Sequence, residues 1–103
     1  MIRVTRAMAE SRLRDVPEDK RFWCFNGAVI GNLRELLTAL HSMNEETFHY
    51  HVSGGDNGLA SWVKDVIGDE KLARDLQGSD TRFQAAKMVA DRILWLESKF
   101  TAD

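Results

Sequence analysis

Cysteine and proline each occur once in the 103 residues, as Cys24 and Pro17. One cysteine excludes an internal disulfide and any zinc site built mainly from thiolates. Charge of one sign is lacking too: 14 Lys and Arg face 16 Asp and Glu, a net −2. That leaves no global pull toward nucleic acid or an anionic membrane. No apolar run approaches the roughly 18 residues that a membrane span needs, so no membrane partner is expected. Internal repeats and low-complexity tracts are absent. The N-terminal basic residues have no apolar stretch behind them, and Glu10 and Asp15 do not suit a transit peptide. A cytoplasmic location is therefore the expectation, and a single free thiol fits a reducing compartment.

What is present is the composition of one globular domain, 44% hydrophobic with three Trp and five Phe. The length suits a single core and is too short for two. Charge is unevenly spread. Residues 1–21 carry six basic and four acidic side chains, and the remainder carries an acidic excess. Residues 1–16 read as a basic N-terminal arm or a short helix, and residues 17–103 as the globular domain. Pro17 closes the arm, because the residue before a proline is pushed out of the helical region.

Phe22-Trp23-Cys24-Phe25-Asn26-Gly27-Ala28-Val29-Ile30 carries a hairpin signal. Asn-Gly between two apolar or aromatic runs is favoured where both turn residues adopt positive φ. One extended segment followed by a turn would fit the same residues. Beyond it the pattern is helical. Asn32 is an N-cap with Glu35 three residues on, and Leu33, Leu36, Leu37 and Leu40 lie on one face. Asn44 ends that helix or caps the next, which carries Phe48 and His51 on one side. After a loop over Ser53–Gly58, Leu59, Trp62, Val63, Val66 and Ile67 form an amphipathic helix that Gly68 terminates. Asp69 caps a short helix with Leu72, Ala73 and Leu76. Ser79 or Asp80 opens the last and longest helix, whose buried side is expected to hold Phe83, Ala86, Ala90, Ile93, Leu94 and Phe100. The expected fold is mainly α, a small single-domain bundle of four to five helices with a short N-terminal β-hairpin as an addition. Its core should also include Phe22 and Phe25.

Residues 22–76, about half of the chain, resemble a family of small prokaryotic domains of unknown function found chiefly in archaea and bacteria. The likeness rests on Asn32-Leu33-x-Glu35-Leu36, on Phe48-x-x-His51-Val52, and on Gly58-Leu59-Ala60-x-Trp62-Val63-x-Asp65-Val66-Ile67-Gly68-Asp69 with Leu72-Ala73. The family has an Asn-Asp pair before an aromatic where this chain has Asn57-Gly58-Leu59. The resemblance implies a recurring fold and no assigned activity.

Candidate chemistry is sparse. His49 and His51 share a face on a strand and diverge by about 200° on a helix. With His41, Cys24 and Asp56 a mixed metal site can be drawn, but no His-x3-His or Cys-x2-Cys spacing is present. No metal and no cofactor are therefore expected. His51 more simply reads as a partly buried histidine that fixes the glycine loop. Backbone N–H groups at Asp56, Asn57 and Gly58, ahead of a helix, could cradle an anion. The Lys-Ser/Thr ending of a phosphate loop is missing, Asp56 puts negative charge in the way, and Asp56 or Asn57 also reads as a plain N-cap. Cys24, His51 and Asp56, or Asp65 with Asp69, could be assembled as catalytic groups on paper. Each has an adequate structural explanation, so no catalytic residue is expected.

Two binding expectations remain. Arg3, Arg6, Arg12 and Arg14 could track phosphates and make the chain a weak nucleic-acid binder. The Leu59–Ile67 helix and the one after it have a helix-turn-helix outline, but Lys64, Lys71 and Arg74 alternate with acids there, a poor recognition face. On the last helix Met88 and Trp95, seven apart, share a second apolar side. A helix apolar on two sides is buried twice, once in its own core and once against a partner. The favoured expectation is a non-catalytic interaction or regulatory module that self-associates through that side.

Overall fold

The computed structural model describes residues 3–24, 26–52 and 57–101. The chain is mainly helical with one small hairpin, as expected. Helix α1 spans Arg6–Leu13, strands β1 and β2 span Phe22–Trp23 and Val29–Ile30, and helices α2 and α3 span Leu33–Ser42 and Glu45–Val52. Helix α4 spans Gly58–Trp62 and runs on through a wide π-helical turn over Val63–Ile67, followed by α5 over Glu70–Gln77 and α6 over Arg82–Thr101. Among the described residues no helix is long and apolar enough to cross a membrane.

The hairpin pairs Phe22 with Ile30 and Trp23 with Val29, antiparallel. Its turn differs from the expected two-residue form. Cys24 and Ala28 are joined by a backbone bond of 2.8 Å, the Gly27 N–H donates to the Cys24 carbonyl, and Gly27 takes a φ of 91°. Asn26 avoids positive φ and instead accepts the Ala28 N–H on its side chain at 3.0 Å. A three-residue connection ending in a left-handed glycine needs only one such residue, and glycine adopts that conformation without a Cβ clash.

Side-chain caps set the helix starts. Thr5, Asn32, Asn57 and Asp69 each accept the backbone N–H three residues on, as Asn44 does for Thr47. Thr81 caps α6, so that helix opens one or two residues later than Ser79 or Asp80. Two of these caps are elaborated. The Glu35 carboxylate takes the Gly31 N–H at 2.6 Å, and Gln84 takes the Asp80 N–H at 2.7 Å. Each reaches back one residue beyond the cap and so satisfies a donor that the cap cannot reach. The π-helical turn closes where the N–H groups of Gly68 and Asp69 both donate to the Val63 carbonyl, with Gly68 left-handed at φ 86°.

Helix α6 is the axis of the bundle and packs against α2, α1 and α5. Its buried stripe is Ala85, Ala86, Val89, Ile93 and Leu96, with Phe100 partly covered. This corrects the expectation for two residues: Phe83 is 67% exposed and Leu94 66% exposed. Apolar side chains occupy most of the circumference of α6, so their period alone does not single out a face. The small pair Ala85-Ala86, together with fully buried Ala9 of α1, lets two backbones approach closely and fixes the inward side. Ala90 and Phe22 are half-buried, and Phe25 lies outside the described residues. The remaining core residues expected on α2 to α5 are buried, except that Leu37 and Val66 are only partly covered.

Candidate functional site

The histidine segment forms a helix, so His49 and His51 point to different sides. His49 is exposed and lies 3.8 Å from the Glu45 carboxylate one turn back. His51 is 9% exposed and turns inward, its ring edge-on to Phe22 at 5.0 Å and to Tyr50 at 5.1 Å. Phe22 in turn meets Trp62 at 6.0 Å, whose indole N–H donates to the Lys20 carbonyl at 2.8 Å. Burial among these rings pushes the imidazole pKa below its ordinary value. Cys24 is likewise buried, and desolvation pushes its thiol up, which disfavours the reactive thiolate.

Asp56 lies outside the described residues. Asn57 is engaged at both ends: its oxygen accepts the Ala60 N–H at 2.9 Å, and its amide donates to the Leu76 carbonyl at 3.4 Å. A Cβ at Gly58 would meet the His51 carbonyl at 3.6 Å and the Phe22 ring at 3.8 Å, ordinary packing distances. Among the described residues no three His, Cys, Asp or Glu side chains come close enough to hold a metal ion.

Asp69 and Asp65 have separate fates. Asp65 is exposed, whereas Asp69 is fully buried as the α5 cap. Arg92 of α6 reaches across to it with two bonds, Nε to Oδ2 at 2.7 Å and Nη2 to Oδ1 at 3.0 Å. The same guanidinium lies 4.3 Å from the Trp95 ring centre, and the Lys99 ammonium lies at 4.3 Å as well. Trp95 is thus a partly exposed ring flanked by two cations, which favours its electron-rich face. Met88 is half-buried and lines a hollow of about 300 Å³ with Arg74, Asp75, Gly78, Ser79 and Gln84.

Arg82 is a contact the sequence did not reveal. Its Nη1 donates to the carbonyls of Leu40 and His41 at 2.7 and 3.1 Å, and its Nε meets the Glu45 carboxylate at 3.1 Å. It therefore caps the end of α2 and the start of α3 together. A cation in the first turn of a helix is ordinarily disfavoured by the dipole, and that mismatch is its only trace in the sequence.

The basic arm is mostly the packed helix α1, held by buried Ala9 and Leu13. Arg6 pairs with Glu10 at 3.2 Å, Arg12 is half-buried, and Arg3 and Arg14 are exposed. The larger hollow, about 390 Å³, lies between β2 and α2. Its polar lining is committed within the fold: Glu35 to Gly31, Arg34 to Glu97 of α6, and the hydroxyls of Thr38 and Ser42 to carbonyls of their own helix.

On α6 two large apolar side chains are exposed, Phe83, with the Arg82 guanidinium 4.8 Å from its ring centre, and Leu94. Phe83 and Leu94 lie eleven residues apart, which places them about 20° from each other around the helix and about 17 Å along it. Between them Lys87 and Asp91 pair at 2.9 Å, both well exposed. No protein-family model matches the chain, and no curated protein or solved structure matches it either.

Proposed function

We propose that the protein is a small cytoplasmic, non-catalytic interaction or regulatory module that self-associates through the outer side of α6. The observation that carries this is the exposure of Phe83 and Leu94 on one line of a helix whose inward stripe already completes the core. Single exposed apolar residues are common on surfaces and need no explanation. Two large ones aligned on the longest helix, one on each side of the Lys87–Asp91 pair, support a line that a partner covers. The polar lining of the hollow between β2 and α2 is already used in holding the fold, which gives a ligand less to bind there. Light scattering behind size exclusion tests the proposal over a dilution series from about 200 to about 1 μM. The expected result is a dimer mass at the top of the series that falls toward the monomer on dilution. A constant monomer mass across the series would refute it.

A further inference from the structure

Resting on that proposal, we infer that the partner is a second copy bound through α6 in an antiparallel, two-fold arrangement, with the axis crossing the Phe83–Leu94 line at the axial level midway between residues 88 and 89. The inference comes from the spacing of four side chains. A dyad perpendicular to the helix and centred there brings Phe83 opposite Leu94 of the second copy, and Leu94 opposite its Phe83. The same operation sets Lys87 opposite the half-buried, small Ala90 and within about 1.5 Å, one residue's rise, of the axial level of Asp91 of the second copy. One register thus satisfies the apolar and the charged groups together. The residues from Phe83 through Lys87 and Ala90 to Leu94 follow the four-three-four spacing of a helix–helix seam.

The parallel alternative fails on charge. A two-fold axis along the helices would place Lys87 on Lys87 and Asp91 on Asp91, like charges directly opposed. In the antiparallel pair each Lys87 lies between its own Asp91 and that of the second copy, so every charge on the seam has an opposite neighbour. The Lys87 and Asp91 side chains are 69% and 59% exposed, which leaves both accessible for this second contact. A seam about 17 Å long is small for an interface and corresponds to a reversible dimer.

Complementary charge reversal measured by sedimentation equilibrium tests the register. Lys87→Asp gives two opposed carboxylates on each side of the dyad, and Asp91→Lys gives two opposed ammonium groups. Each variant alone should dimerise about tenfold more weakly than the wild type, or worse. An equimolar mixture should regain the wild-type mass as a dimer containing one copy of each, because the carboxylates of one variant then face the ammonium groups of the other. Circular dichroism checks that each variant is folded, and the matched reversals Arg6→Glu and Glu10→Arg on α1 should leave association unchanged. A monomeric wild type would overturn this inference together with the proposed function. A dimeric wild type whose single reversals associate normally, or whose mixture associates no better than the singles, would overturn the antiparallel register alone.

Discussion

Arg92 ties α6 to the start of α5 through one planar group. Its guanidinium holds buried Asp69 in two bonds while packing over Trp95, and it is itself 10% exposed. Asp69 also accepts the Leu72 N–H, so its carboxylate anchors the start of α5 to the middle of α6. Removing one member of a buried pair leaves the other charge uncompensated, which typically costs about 3–5 kcal/mol. Arg92→Ala should therefore lower the denaturant midpoint sharply, by far more than removal of the exposed Arg6 or Lys87. Arg92→Lys should recover only part of the loss, because an ammonium cannot reproduce the two-pronged geometry. Urea titration of these variants checks both outcomes; an Arg92→Ala midpoint near that of the wild type would contradict the role.

His51 belongs to the same scale and responds to pH. Its pKa in the folded protein is lowered by burial among Phe22 and Tyr50, whereas the unfolded value is about 6.5. In the window between the two, the unfolded chain binds the proton more readily than the folded one. The neutral imidazole's contribution is therefore intact above about pH 6.5 and is lost as pH falls toward the folded pKa. Denaturant midpoints should fall as pH drops through that window, and His51→Phe should remove part of the slope. His41 and His49 are exposed and remain in that variant as an internal reference. An identical slope in the two proteins would show that His51 does not carry it.

At the scale of elements, most of the secondary structure was legible because caps are local. Asn32 with Glu35 and Asp69 before Leu72 act within one turn, where sequence spacing and spatial distance coincide. Gly68 was legible for the same reason. With a φ of 86° and nothing within 4 Å of a Cβ built on it, its requirement is conformational and not steric. Gly68→Ala should cost about 1–2 kcal/mol, while Gly58→Ala, where φ is unexceptional and the contacts are ordinary, should cost much less. Paired thermal melts distinguish the two, and equal losses would contradict this account. The start of α6 was placed one or two residues early, since Ser79, Asp80 and Thr81 are all competent caps and only the reach of Gln84 to Asp80 selects Thr81. The long-range contacts were not legible. Nothing near Arg82 in sequence announces the carbonyls of Leu40 and His41, because that bond exists only once α2 and α6 have packed.

For the whole molecule the decisive element is α6, whose inward side was the least legible feature of the fold. Its apolar residues point almost everywhere, and choosing the inward ones requires knowing that α1 and α2 close on Ala85, Ala86 and Val89. The large exposed residues of α6, Phe83 and Leu94, were expected in the core and lie about 120° around the helix from the expected Met88 and Trp95 side. Met88 is half-buried, and Trp95 sits at the margin between two cations. Asn57 is the plain N-cap, its amide also reaching the Leu76 carbonyl, and the basic arm is mostly a helix packed against α6. Large exposed apolar side chains lie on α6, at Phe83 and Leu94, and elsewhere, at Trp23 of β1 and Tyr50 of α3.

Sedimentation velocity of Leu94→Glu beside the wild type, at the same concentrations, tests the proposed self-association through α6 most directly. Leu94 is two-thirds exposed, so this substitution leaves the core intact and the melting temperature nearly unchanged. The account predicts a concentration-dependent dimer for the wild type and a monomer for the variant throughout. A wild type that sediments as a monomer at every concentration, or a variant that associates as strongly as the wild type, would contradict it.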